Sequence, residues 1–270
     1  MSRSNRVRVG AVGYLNARPL VYGLEQSTRF QLRYDVPSEC ARLLHEHAID
    51  IGLIPSIEYL RGGPYCVVPD LAIASQGPVA SVMLFTTKPV GDVQSIAMDT
   101  SSRTSVALAR VLCARLFNIH PVVEGRSPDL KDMLTRCDAA LIIGDSALFL
   151  DPRSIGPGEP RVEAIDLGDA WNRMTGLPFV YAFWAGRPGA LTAEDVMVLQ
   201  RARDEGVRRP DELARQYLAD RPAWHARGAR YLRDNIRYHF GADERAGLEL
   251  FYRYAVEAGV VDRGDVLRFY

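Results

Sequence analysis

Hydrophobic and polar positions in the first half of the chain switch repeatedly between a strand-like and a helix-like period. Val7-Arg8-Val9-Gly10-Ala11-Val12 alternates and then turns apolar, which predicts a strand. It runs through Gly13-Tyr14-Leu15-Asn16 into a helix carrying Pro19 and Leu20. Residues 32–36 predict a second strand, and 38–47 a helix with Ser38 as N-cap. Residues 50–54 read as a short buried strand closed by Pro55. The same order then recurs. A strand at 95–98 meets the hydroxyl-rich turn 99–105, and a helix with Val106, Ala109, Leu112 and Leu116 on one face follows to Phe117. Residues 139–143 form another buried strand, ending at Gly144-Asp145. Such alternation predicts an α/β protein with parallel sheets covered by helices.

Two longer apolar strands, 81–87 and 179–184, flank the second of these units. If both cross between lobes, the chain leaves one lobe, builds another and returns. The expected division is residues 1–85 and 182–270 in a discontinuous first lobe and 86–181 in a second, with a ligand cleft between them. The C-terminal part is helical at 194–205, 211–219 and 245–258, where Leu248, Phe251, Ala255 and Ala258 form the clearest stripe. Tyr231, Tyr238, Phe240 and Tyr252 are assigned to the core.

The 270 residues suffice for two lobes with real cores. Hydrophobic residues make up 47%, and 33 basic residues balance 33 acidic ones, which argues against disorder and against a nucleic-acid surface. Arg201, Arg203, Arg208 and Arg209 read as a solvated helix face. Cys40, Cys66, Cys113 and Cys137 form no CxxC pair and suit reduced thiols. The opening residues lack an apolar signal core, and the most apolar stretch, 139–150, contains Asp145. A cytoplasmic protein without a membrane partner is expected.

The turn after the first strand is neither a dinucleotide fingerprint nor a phosphate loop. Gly10 and Gly13 have no third glycine at the required spacing, and no Gly-Lys-Ser/Thr occurs. Tyr14 and Asn16 offer an aromatic wall and an amide, which suit a polar organic ligand. Asn16 stands where a ligand-facing residue belongs, but Asn is also a common helix cap, and Pro19 in a first turn favours the cap. The 99–105 turn is the best anion site, with hydroxyls at Thr100, Ser101, Ser102, Thr104 and Ser105 ahead of a helix N-terminus. Plain capping explains it equally well. Arg103 either pairs with a carboxylate or points to solvent. Ser81, after Gly77-Pro78-Val79-Ala80, matters if its strand floors a cleft. No GxSxG, HExxH or metal-ligand spacing is present, and His45 and His47 are placed on one exposed helix. Asp145 and Glu58 stand near strand ends and suit hydrogen-bond acceptors better than bases. The residues alone leave enzyme and binding protein both open.

Four motifs in order resemble the chorismate dehydratase family of the futalosine route to menaquinone. They are Gly13-Tyr14-Leu15-Asn16 with Pro19-Leu20, Ile54-Pro55-Ser56-Ile57-Glu58-Tyr59, Gly77-Pro78-Val79-Ala80-Ser81, and Thr100-Ser101-Ser102-Arg103-Thr104-Ser105. The resemblance implies a two-lobed fold like that of type 2 periplasmic binding proteins. It implies conversion of chorismate to 3-[(1-carboxyvinyl)oxy]benzoate and water, with no cofactor. On it, Asn16 and Ser81 become catalytic candidates. Tyr14, Ser56, residues 100–105, Gly144 and Asp145 become substrate-binding candidates, with a carboxylate of the substrate as proton acceptor. The alternatives are a cytoplasmic small-carboxylate binding or sensor protein and the sister dihydroxynaphthoate synthase. The sister's Pro- and Cys-rich N-terminal signature is missing here. Because the sequence has no cluster with ligand spacing, activity is expected to survive exhaustive chelation. Loss with EDTA and recovery with a divalent ion would show a metal site.

Overall fold

The computed structural model describes residues 6–150 and 162–270. Strand β1 (Val7–Val12) is buried at every position except Arg8, as a strand covered on both faces must be. It lies parallel to β2 (Phe30–Asp35) on one side and β3 (Ile51–Pro55) on the other. Helix α1 (Pro37–His45) joins β2 to β3. Its cap position is Val36, without a side-chain hydrogen bond, so Ser38 is not the N-cap. Pro37 starts the helix through its fixed φ instead. β4 (Cys66–Ser75) escapes the sequence pattern because Pro69-Asp70 interrupts it, with Asp70 at φ +62°. The strand ends its sheet, where a proline is tolerated.

The chain then enters a second sheet. β5 (Val82–Thr86) and β6 (Ser95–Asp99) lead to α2 (Arg103–Leu112), β7 (Val122–Arg126), α3 (Leu130–Arg136), β8 (Ala139–Ile143), α4 (Gly144–Leu148) and β9 (Glu163–Asp166). Helix α5 (Leu167–Thr175) precedes β10 (Phe179–Gly186), which returns to the first sheet. The strand orders are β2-β1-β3-β10-β4 and β7-β6-β8-β5-β9. Each sheet has three parallel strands followed by an antiparallel one, so the two share a single plan.

Neither long apolar strand crosses between sheets. β5 pairs on both sides within the second sheet, and β10 on both sides within the first. A strand hydrogen-bonded along both edges cannot also be a crossover. The exchanges fall at 76–81 and 176–178, between β4 and β5 and between α5 and β10. Residues 82–85 thus go with the second sheet and 179–181 with the first, the reverse of the expected division.

The C-terminal helices α6 (Ala193–Gly206), α7 (Pro210–Tyr217), α8 (His225–Arg230) and α9 (Ala242–Glu257) cover the first sheet and the turn after β1. Leu248, Phe251 and Ala255 of α9 are buried as their spacing predicts, while Ala258 lies just past the helix end and is half-buried. Tyr231, Tyr238, Phe240 and Tyr252 are buried as expected. Among the described residues no helix is long and apolar enough to cross a membrane.

α6 sets the position of the 3-10 helix Leu15–Val21. A Cβ on Gly206 would stand 2.3 Å from the Pro19 carbonyl oxygen, a backbone atom that cannot swing aside. Gly206→Ala is therefore expected to cost about 1–3 kcal/mol through overpacking, read as a lower urea midpoint. An unchanged midpoint would mean that α6 slides freely over this turn.

Candidate active site

The cleft between the sheets encloses about 470 Å³ of space, open solvent at its mouth included. It is narrow, because the centre of a water molecule reaches only about 40 Å³ of it. Val12, Pro37, Pro55, Ile73, Val79, Val82, Ile143 and Ala182 supply apolar wall. Tyr14, Asn16, Ser81, Ser102, Ser105 and Tyr181 supply the polar side chains, and Gly144 contributes backbone. Among the described residues, no Asp, Glu, His, Lys or Arg lines it.

Asn16 is not a helix cap. The cap position of the 3-10 helix is Tyr14, with no side-chain hydrogen bond, and Asn16 is the second helical residue. Its Oδ1 is buried and has no partner, a costly state for an acceptor closed off from water. The helix N-terminus does meet an anion, but the anion belongs to the chain. Asp145 Oδ1 accepts from the Leu15 N–H at 3.3 Å, and Asp145 Oδ2 accepts from the Tyr217 hydroxyl. Burial pushes the Asp145 carboxyl above its usual range, against the pull of Tyr217 and the Leu15 N–H. Asp145 thus bonds to the turn after β1 and does not line the cleft. Gly144 beside it takes φ +62°, and a Cβ there would meet the Tyr14 ring at 2.9 Å. Only glycine fits both constraints.

The 99–105 turn divides its duties. Ser102 is the N-cap of α2, accepting from the Ser105 N–H at 3.4 Å, and its hydroxyl lies 3.0 Å from that of Ser105. Both line the cleft. Ser101 donates to Asp99 at 2.6 Å and accepts from the Tyr14 hydroxyl at 3.2 Å. Thr104 is fully buried, and its Oγ1 accepts from the Ile57 N–H across the cleft at 3.1 Å. Ser56 donates to the Val180 carbonyl at 2.8 Å. Ser56, Thr100, Ser101, Arg103 and Thr104 are not among the lining residues, and Thr100 is exposed. Arg103 does pair with a carboxylate, but the partner is Glu58 at 2.7 Å.

Ser81 lines the cleft and stands 2.8 Å from the hydroxyl of Tyr231. It follows the crossover at 76–81, where Ala80 takes φ +61°. Asp166, capping α5, accepts from the N–H groups of Val79 and Ala80 at 3.1 and 2.6 Å, which holds that bend. Tyr181, Tyr231 and Asp166 carry no sequence signal for a site. The first two read as core aromatics because burial and cleft lining share one apolar pattern. A polar strand end at Ile165-Asp166 before a helix was the available cue for the third.

Glu58 is the other buried charge near the cleft, with its side chain 0% exposed. His45 approaches at 3.0 Å, Arg61 at 2.9 Å and Arg103 at 2.7 Å. Burial alone would raise the Glu58 carboxyl, but bonds from His45 and Arg61 and the charge of Arg103 hold it below its usual value. His45 is half-buried at the end of α1 and also bonds Tyr65 at 2.7 Å. His47, at φ +60°, lies beyond the helix, so the two histidines do not share an exposed face.

Residues 7–257 match the family described as menaquinone biosynthesis. The chorismate dehydratase of Thermus thermophilus is 32% identical over 259 residues, covering 90% of this chain and 93% of its own. A crystal structure of protein AF1704 from Archaeoglobus fulgidus superposes with a TM-score of 0.76 at 17% identity, over 96% of this chain and 100% of that one. The periplasmic aliphatic sulphonate binding protein SsuA of Escherichia coli gives 0.64 at 15% identity, over 96% and 94%. The fold is that of periplasmic binding proteins, as its two like sheets facing one cleft require.

Glu58→Gln keeps the shape and removes the charge. It is expected to lower stability by roughly 1.5–3 kcal/mol at neutral pH, the range for hydrogen bonds to a charged group. The folded carboxyl titrates below its usual 4.5, so its contribution is present above that value and fades as pH falls through the lower folded value. The gap between wild type and variant should therefore shrink in acid. A gap that stays constant from neutral pH down to about pH 3 would make the loss steric rather than ionic.

Proposed function

This chain belongs to the menaquinone-biosynthesis family, and from that premise we propose that it is a chorismate dehydratase. The reaction is a carbon–oxygen lyase step that converts chorismate to 3-[(1-carboxyvinyl)oxy]benzoate and water. A proton leaves C3, hydroxide leaves C4, and the ring becomes aromatic. The observation that carries the reading is the unpartnered Asn16 Oδ1 in a cleft lined by hydroxyls but, among the described residues, by no carboxylate, histidine or lysine.

Aromatisation drives the chemistry, so the protein mainly has to orient the leaving hydroxyl, hold the ring and exclude water. Asn16 and Ser81 engage the reacting end of the substrate. Tyr14 and the backbone at Gly144 flank it, and Ser102 and Ser105 offer hydroxyls to a carboxylate, aided by the α2 dipole. With no carboxylate, histidine or lysine among the described residues that line the cleft, a carboxylate of the substrate takes the C3 proton. Ser56, Arg103, Thr104 and Asp145 act from behind, by joining the lobes and the turn after β1.

The test is incubation of the pure protein with chorismate, following the aromatic ether by absorbance and mass. Turnover supports the dehydratase, and binding without turnover supports a carboxylate-binding protein. Asn16→Asp separates site from scaffold. No cap bond is lost and the side chain keeps its shape, so the thermal midpoint, read alongside, separates any folding loss from the loss of turnover. The variant's negative charge faces a dianion, and turnover should fall by about 100-fold or more. Wild-type turnover in Asn16→Asp would remove Asn16 from the reaction.

A further inference from the structure

Tyr231 is absent from the cleft wall, yet its hydroxyl meets Ser81, which lines the cleft beside Asn16. It sits in the wide helical turn Tyr231–Asn235 that continues α8, with 2% of its surface exposed. Its Oη is 2.8 Å from Ser81 Oγ. A phenol has one proton to donate, and closed off from water that proton needs an acceptor. Among the described residues Ser81 Oγ is the hydrogen-bond partner of the Tyr231 hydroxyl, so Tyr231 spends its proton there. Ser81 is thereby left with its hydroxyl proton to direct elsewhere, and its side chain borders the cleft.

We infer that Tyr231 is a positioning residue that fixes the direction of the hydrogen bond at Ser81, beside Asn16 in the cleft. The cleft then presents one acceptor, Asn16 Oδ1, beside one donor, the Ser81 O–H. A group that both donates and accepts matches this pair, and in chorismate that is the C4 hydroxyl. The assignment rests on the dehydratase reading. It also explains the unpaired Asn16 oxygen, whose partner is the proton of the hydroxyl that leaves. Burial holds the Tyr231 phenol protonated, pushing its ionisation well above the usual range, so the direction does not reverse near neutral pH.

The experiment compares wild type, Tyr231→Phe, Ser81→Ala and the double variant in steady-state turnover of chorismate, beside their thermal midpoints. Phenylalanine keeps the buried ring, so the fold is retained. Tyr231→Phe is expected to lower kcat about 10- to 100-fold and to move KM less than about threefold, the pattern of an interaction realised in the transition state. If Tyr231 acts through Ser81, adding Tyr231→Phe to Ser81→Ala should cost little more than Ser81→Ala alone. A purely structural role would lower the midpoint and leave kcat unchanged, and that result overturns the inference. So does full additivity of the two losses. Wild-type protein that makes no aromatic ether overturns the dehydratase reading and this inference with it. An active wild type with an equally active Tyr231→Phe overturns the inference alone.

Discussion

A carboxylate taken wholly out of water must be met by opposite charge, and the closed cleft depends on that requirement at Glu58. The desolvation cost of such a group is several kcal/mol and is offset only by close, well-directed partners. His45 comes from the end of α1, Arg61 from the same 3-10 helix as Glu58, and Arg103 from the first residue of α2 on the other sheet's side. Arg103 reaches Glu58 from the other side of the cleft, so Glu58 is met from both sheets' sides. Thr104, one residue on, accepts from Ile57 beside Glu58. The two contacts span the cleft from the same turn whose Ser102 and Ser105 border it.

The strand ends put these turns in reach of one another. Pro55 closes β3, Tyr14 and Asn16 follow β1, Ser102 and Ser105 follow β6, and Gly144 follows β8. All lie at the carboxyl ends of parallel strands, where α/β sheets present ligand-binding loops. Because both sheets have the same plan, facing them across a crossover brings two such sets of ends together. Asp166 holds the crossover by accepting from two of its backbone N–H groups.

The cleft meets its ligand with neutral groups although the proposed substrate is a dianion. A cation on the carboxylate that takes the C3 proton would hold the ground state more tightly than the transition state, in which that charge is being neutralised, and would slow the step. The hydroxyl is the other group that changes. The unpaired Asn16 oxygen and the Ser81–Tyr231 pair are gathered at one place, where a difference between substrate and transition state can be expressed.

The sequence alone determined the repeated strand–turn–helix plan, because β1, β3, β6 and β8 are buried on both faces and leave continuous apolar runs. It also singled out the turns at Tyr14–Asn16, Ser81, Ser102–Ser105 and Gly144, since polar residues after such runs stand out locally. β4 and β7 were not legible, the first broken by Pro69-Asp70 and the second short and largely exposed. Tertiary structure decided which hydroxyls border the cleft and which are spent on the protein. Ser56 and Thr104 look no different in sequence from Ser102 and Ser105, yet the first two bond across buried seams and the last two border the cleft. It also turned Asn16 from a possible cap into an unpaired acceptor and Tyr231 from a core aromatic into its neighbour. A side chain's residue type sets what bonds it can make, but its partner comes from a strand or helix far along the chain, and only the folded packing brings the two within reach.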